Sequence, residues 1–108
     1  MYMTEVIILL LILEIKKMKI EELIKNPEIN IIDVRTPGEF VTGNVPESIN
    51  IPLDEIIDRI DEIRVMQPVV LCCASGNRSG QAKLFLQSNG LEEVYNGGGW
   101  EEVLLLKG

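Results

Sequence analysis

Apolar positions along this chain fall into three patterns, and each predicts a different element. Short runs rich in β-branched residues and bounded by turn formers recur at Ile29–Val34, Ser48–Ile51, Pro68–Cys73 and Glu93–Tyr95. The first and third read as buried strands, the second and fourth as short strands. Helical spacing marks Ile20–Lys25, which Asn26-Pro27 stops, and Leu53–Ile63, where Leu53, Ile56, Ile57, Ile60 and Ile63 keep to one face. The charged residues between them form a solvated face, not a metal site. Ala82, Phe85 and Leu86 predict another helix, ended by Asn89-Gly90. Trp100, Val103 and Leu104 predict a closing helix with its tryptophan in the core. Glu39 and Phe40, after the turn signal Thr36-Pro37-Gly38, start a single helical turn, and Asn96-Gly97-Gly98-Gly99 reads as a tight strand-to-helix turn. Those glycines lack the lysine and hydroxyl that a phosphate-binding loop needs. Strands alternating with helices predict an α/β fold, an open and largely parallel sheet covered on both faces.

The third pattern is one unbroken apolar run, Val6–Leu13, closed by Glu14, Lys16 and Lys17. Eight residues are too few to cross a bilayer, which takes ~20 in a helix. The run is therefore expected to be an added strand or a packing segment, with a truncated membrane-directing segment and a misassigned start as less favoured readings. No basic leader precedes it and no small-residue cleavage site follows, so a signal peptide reads poorly. Membrane contact through residues 6–13 is accordingly not favoured, although such a run left exposed invites association between chains. The expected organisation is an apolar extension, residues 1–14, and one domain, residues 15–108.

Composition narrows the function. The 108 residues, 46% of them hydrophobic, suffice for one core. A formal net charge of −7 argues against nucleic acid, whose phosphates need a basic face. The two cysteines, Cys72 and Cys73, are adjacent, so no disulfide framework exists and a reducing, cytoplasmic setting is expected. Histidine is absent, which removes Cys-His proteolysis and histidine-ligated zinc. No metal and no cofactor is expected.

Candidate chemistry gathers where the Pro68–Cys73 strand gives way to Ala74-Ser75-Gly76-Asn77-Arg78-Ser79. A cysteine at the carboxyl end of a buried strand, before a tight loop that opens a helix, has N–H groups and a positive helix end directed at it. Those groups favour a thiolate and any anion brought to it. Gly76 lets the backbone curl, Ser75, Asn77 and Ser79 offer side-chain donors, and Arg78 either clamps an oxyanion or braces the loop against a carboxylate. Cys73 is therefore the candidate nucleophile and Ala74–Ser79 the candidate substrate-binding loop. Cys72, one step earlier, should face the opposite side of the sheet as a structural residue. Asp33 and Arg35, at the end of the Ile29–Val34 strand, are expected to support the loops around the site.

Four ordered segments carry a family resemblance: Ile32–Phe40, Gly43–Pro52, Cys73–Ser79 and Val94–Trp100. Together they resemble the single-domain rhodanese, or thiosulfate sulfurtransferase, family, from about Ile15 onward. The resemblance implies a mainly parallel five-stranded sheet flanked by helices on both faces. It implies further that Cys73 takes the outer sulfur of thiosulfate as a persulfide, the amides of Ala74–Arg78 surround that sulfur, and a thiophilic acceptor such as cyanide or a thiol removes it. The implied partners are a small anionic sulfur donor, that acceptor and a sulfur-relay protein. One alternative is a sulfur-carrier or interaction module served by partner proteins. A cysteine phosphatase or arsenate reductase is a weaker one: such phosphatases place one residue more between cysteine and arginine than the four here, Ala74–Asn77, leaving this cup small for a phosphate ester. Asn44-Val45-Pro46-Glu47-Ser48 stands where family members often carry His-Ile-Pro-Gly-Ala, and the expected effect falls on local packing and surface.

Overall fold

The strand-like runs lie side by side in one sheet. A computed structural model of the chain describes residues 2–108, so position 1 of the expected extension lies outside them. In chain order the elements are α1 (Tyr2–Lys25), β1 (Asn30–Asp33), α2 (Pro37–Val41), β2 (Ile49–Asn50), two short 3-10 turns (Leu53–Glu55 and Ile57–Arg59), α3 (Ile60–Arg64), β3 (Val69–Cys73), α4 (Asn77–Ser88), β4 (Val94–Gly99) and α5 (Trp100–Lys107). The strand order is β2-β1-β3-β4 and every pairing is parallel.

Period-two alternation along β3 divides the core in two. Val69, Leu71 and Cys73 face one layer with Ile32, Ile56, Ile63, Ala82 and Leu86. Val70 and Cys72 face the other, with Ile24, Ile31 and Val103. Trp100 packs on the edge of this second layer. Burial on both faces explains why the runs of the central strands β1 and β3 are near-continuously apolar rather than alternating, while β2 and β4 are only partly buried.

Four expectations need correction. The sheet has four strands among the described residues, not five. The Val6–Leu13 run adds no strand, because it is the front of α1, which continues unbroken through Glu14 to Lys25. Leucine, methionine, glutamate and lysine fill that segment, and their helix propensity carries the apolar run with them. Nor is it a packing segment: Val6–Leu13 is exposed throughout. Leu53–Ile63 is not one helix, because Arg59, at φ −121° and ψ 20°, interrupts it. Apolar residues three and four apart satisfy 3-10 and α spacing alike, so periodicity places Ile56 and Ile63 in the core without fixing the hydrogen-bond pattern.

The glycines of Asn96–Gly99 are the end of β4 rather than a separate turn. At Leu71/Cys72 the β3–β4 register slips, with Leu71 opposite Asn96 and Cys72 opposite Gly98. Gly97 is the extra residue, and a Cβ there would stand 2.7 Å from Val70 Cγ1. The departure at Glu47 is visible too. It holds φ at 69°, the left-handed region that favours glycine, at a cost of ~1 kcal/mol.

Candidate functional site

The candidate site forms where β3 stops. Beyond Cys73 the chain turns through Ala74–Gly76 and enters α4 at Asn77. Gly76 makes that turn at φ +96°, and a Cβ on it would lie 3.1 Å from Gly98 Cα, so a side chain there meets both strain and backbone. The turn aims donors back at the sulfur. Cys73 Sγ accepts from the Gly76 N–H at 3.0 Å and the Ser79 N–H at 3.4 Å. It lies 3.3 Å from Ser79 Oγ.

Two opposing effects act on the Cys73 thiol. Burial pushes its pKa up, while the Ser79 hydroxyl and the N–H groups of Ser79, Ser75 and Gly76 pull it down, and the net shift is downward. Hydrogen bonds to the charged form outweigh desolvation, with no histidine involved. Cys72 moves the other way. Burial first and the Asp33 carboxylate second push its thiol well above the ordinary range.

Of the loop residues named from sequence, the structure brings Gly76 and Ser79 to the sulfur and keeps Ala74, Ser75 and Asn77 exposed. Arg78 points at a carboxylate. Its Nη1 donates to Glu39 Oε1 at 2.7 Å and its Nη2 to Glu39 Oε2 at 3.0 Å. That fork holds the Glu39 carboxyl down at about 2, with help from the Thr36 N–H. Glu39 is itself fixed by a reciprocal cap with Thr36 at the start of α2. Arg78 also borders a shallow hollow of about 440 Å³, lined with Val34, Thr36, Pro52, Leu53 and Asp54.

Asp33 and Arg35 form a buried pair. Arg35 Nη2 donates to Asp33 Oδ2 at 2.6 Å, and its Nε donates to both carboxylate oxygens at 2.9 Å. The remaining guanidinium donors reach the carbonyls of Glu39, at 3.3 Å, and Gly43, at 2.7 Å, while the Trp100 ring lies 4.6 Å away. The pair thus ties the end of β1 to α2, the element that carries Glu39, and is not among the hydrogen-bond partners of the Cys73 sulfur, which are Gly76 and Ser79.

Two residues escaped the reading of the sequence. Asn96 on β4 accepts from the Ser79 hydroxyl at 2.7 Å and from the Gly98 N–H at 3.0 Å, and donates to the Gly76 carbonyl at 2.9 Å. It therefore shares the single Ser79 hydroxyl proton with the sulfur, fixes Ser79 Oγ beside Cys73 and clamps the loop from outside it. The available signal was a polar residue interrupting a strand run. Glu39 is the other, and its signal was the Thr36-x-x-Glu39 capping spacing, which fixes a helix start.

A lone cysteine sulfur cradled by loop and helix amides, at the carboxyl edge of a parallel sheet, defines a class of anion-binding thiol sites. Residues 17–105 match the rhodanese-like domain, and the chain belongs to that family. Its α/β fold is rhodanese-like. The chain is 36% identical over 84 residues to the thiosulfate sulfurtransferase PspE of Escherichia coli (strain K12), covering 70% of this chain and 75% of that one. It is 46% identical over 66 residues to the uncharacterized protein YqhL of Bacillus subtilis (strain 168), which is 61% of this chain and about half, 52%, of that one. Among solved structures, a rhodanese with anions from E. coli superposes with a TM-score of 0.62 at 38% identity, over 68% of this chain and 89% of that one.

Proposed function

We propose that the protein is a sulfurtransferase working through a persulfide on Cys73. The observation that carries this reading is the sulfur's setting: two backbone N–H groups, at 3.0 and 3.4 Å, and a hydroxyl at 3.3 Å, all from the loop that follows it. The Cys73 thiolate attacks the outer sulfur of thiosulfate, a sulfur–sulfur bond forms, and the bond to the sulfite sulfur breaks. Sulfite departs with that electron pair. A cyanide or thiolate acceptor then attacks the outer sulfur of the persulfide, giving thiocyanate or a new persulfide and returning the Cys73 thiolate. No outside oxidant or reductant enters. Fixed N–H dipoles stabilise the negative sulfur at each stage without reorganising.

Within this reading Gly76 and Ser79 hold the sulfur, and the backbone of Ala74, Ser75 and Asn77 shapes the cup. Arg78, fixed by Glu39, braces the loop and lends positive charge at its rim. Asp33 and Arg35 support it from β1. Family membership and the named activity of PspE favour the same chemistry. Two free adjacent thiols fit a reducing, cytoplasmic setting.

The test is turnover of thiosulfate and cyanide to thiocyanate by the wild type and by Cys73→Ser. Turnover that vanishes in the variant supports the proposal. Turnover retained by Cys73→Ser overturns it. Transfer from a persulfidated protein donor, with none from thiosulfate, overturns the thiosulfate step and makes the domain a sulfur carrier.

A further inference from the structure

We propose that the front of α1 docks the protein on an anionic lipid bilayer, entering one leaflet without crossing it. The back of this helix is ordinary: Ile20, Leu23 and Ile24 pack into the second core layer. The front is not. Each residue from Val6 to Leu13 is between 43% and 57% exposed, so the helix stands clear of the domain on every side.

Eight consecutive apolar residues at ~100° each cover the whole circumference of a helix. A protein groove, or a second copy of α1, covers one stripe and leaves the rest in water. Acyl chains cover it all, and a helix apolar on all sides belongs in such surroundings.

Charge points the same way. Three of the ten basic residues of a chain with net charge −7 stand at Lys16, Lys17 and Lys19, directly after the apolar run. Lys16 and Lys17 take part in no ion pair among the described residues. Lysines flanking an apolar segment are attracted to anionic headgroups. In a parallel bundle of α1 helices the same lysines would repel one another.

Length sets the depth. Val6–Leu13 rises about 12 Å, less than half of the ~30 Å hydrocarbon core. Among the described residues no helix is long and apolar enough to cross a membrane. Glu5 and Glu14 bracket the run, and a helix sunk just below the interface and parallel to it lets both carboxylates reach the headgroups while acyl chains surround the residues between them. Leu13, Lys16 and Lys17 line one hollow with Asn96 and Gly97, at the carboxyl end of β4. The exposed front of α1 therefore stands out on the side of the sheet where Cys73 emerges.

Co-sedimentation of the full chain with vesicles tests the proposal, comparing equal phosphatidylglycerol and phosphatidylcholine with phosphatidylcholine alone. Light scattering without lipid reports self-association in parallel. The expected result is binding to the anionic vesicles that weakens with salt. Leu10→Glu should cut it on the order of a hundredfold. Lys16→Gln and Lys17→Gln should each cut it about fivefold on anionic vesicles only. All three variants should melt with the wild type, since these side chains leave the core untouched. A wild type that binds neither vesicle overturns the proposal, and so does an oligomer that Leu10→Glu dissolves while vesicles capture nothing. Sulfur transfer by Cys73 is read separately, so either proposal can fail alone.

Discussion

Cys72 and Cys73 are the same side chain one residue apart on β3, buried to the same degree at 0% and 1% exposure. Their chemistry diverges completely. Cys72 faces the second core layer, beside the Asp33 carboxylate, and its thiol is pushed up. Cys73 faces the first layer where the strand ends, and the Gly76 and Ser79 donors pull its thiol down. Equal exposure therefore does not by itself decide which thiol is the more acidic. Donor geometry does, and period-two alternation decides which sulfur receives it.

The contrast can be broken most severely at the cysteines themselves. Cys73→Ser should lower sulfur transfer on the order of 10³-fold or more, because hydroxyl is no substitute for a thiolate nucleophile. Cys72→Ala should leave the rate within about twofold and cost about 1 kcal/mol of stability through the small cavity it opens. Steady-state rates and urea unfolding of the two variants separate those effects.

Removing donors should erase the contrast by degrees. Ser79→Ala takes away the hydroxyl and should cost about 10²-fold in transfer. The midpoint of Cys73 alkylation against pH should rise toward the ordinary ~8.5 of a free thiol. Asn96→Ala loosens the loop that aims the Gly76 and Ser79 N–H groups, so a smaller loss of about tenfold is expected, with the alkylation midpoint moving in the same direction. A purely structural Asn96 would lower the melting point and leave that midpoint in place.

The smallest effect lies at the rim. Arg78 and then Thr36 depress the Glu39 carboxyl from 4.5 to about 2. A depressed folded-state pKa gives stability that is present above the unfolded value and lost as pH falls through the folded one. Glu39→Gln should therefore make the melting point less dependent on pH between about pH 5 and about pH 2. Transfer at neutral pH should change only a few-fold, since Glu39 positions Arg78 and does not meet the sulfur. An unchanged acid profile in Glu39→Gln would separate Arg78 from Glu39 in solution.

Much of this was legible in the chain. Continuous apolar, largely β-branched runs located the two central strands, β1 and β3, because a parallel strand buried on both faces admits little else, and shorter signals between turn formers located β2 and β4. The Cys73–Ser79 segment announced its donors through Gly76 and the small polar residues around it. What the sequence hid lies in long-range pairing. Asn96 comes 23 positions after Cys73 and reaches the loop only because β4 pairs with β3 and slips register at Gly97. Glu39 meets Arg78 only once β1 and β3 are adjacent. The front of α1 misled for a different reason. An isolated apolar run carries no period of its own, and the helix propensity of the residues behind it decided its form.

Mass spectrometry of the thiosulfate-treated protein compares the two cysteines most directly. Both fall between Arg64 and Arg78 and share one tryptic peptide, so fragment ions must separate them. One added sulfur on Cys73 and none on Cys72 is the expected result. An added sulfur on Cys72, or an unmodified Cys73 under conditions of active transfer, would contradict a persulfide held by the Gly76 and Ser79 donors.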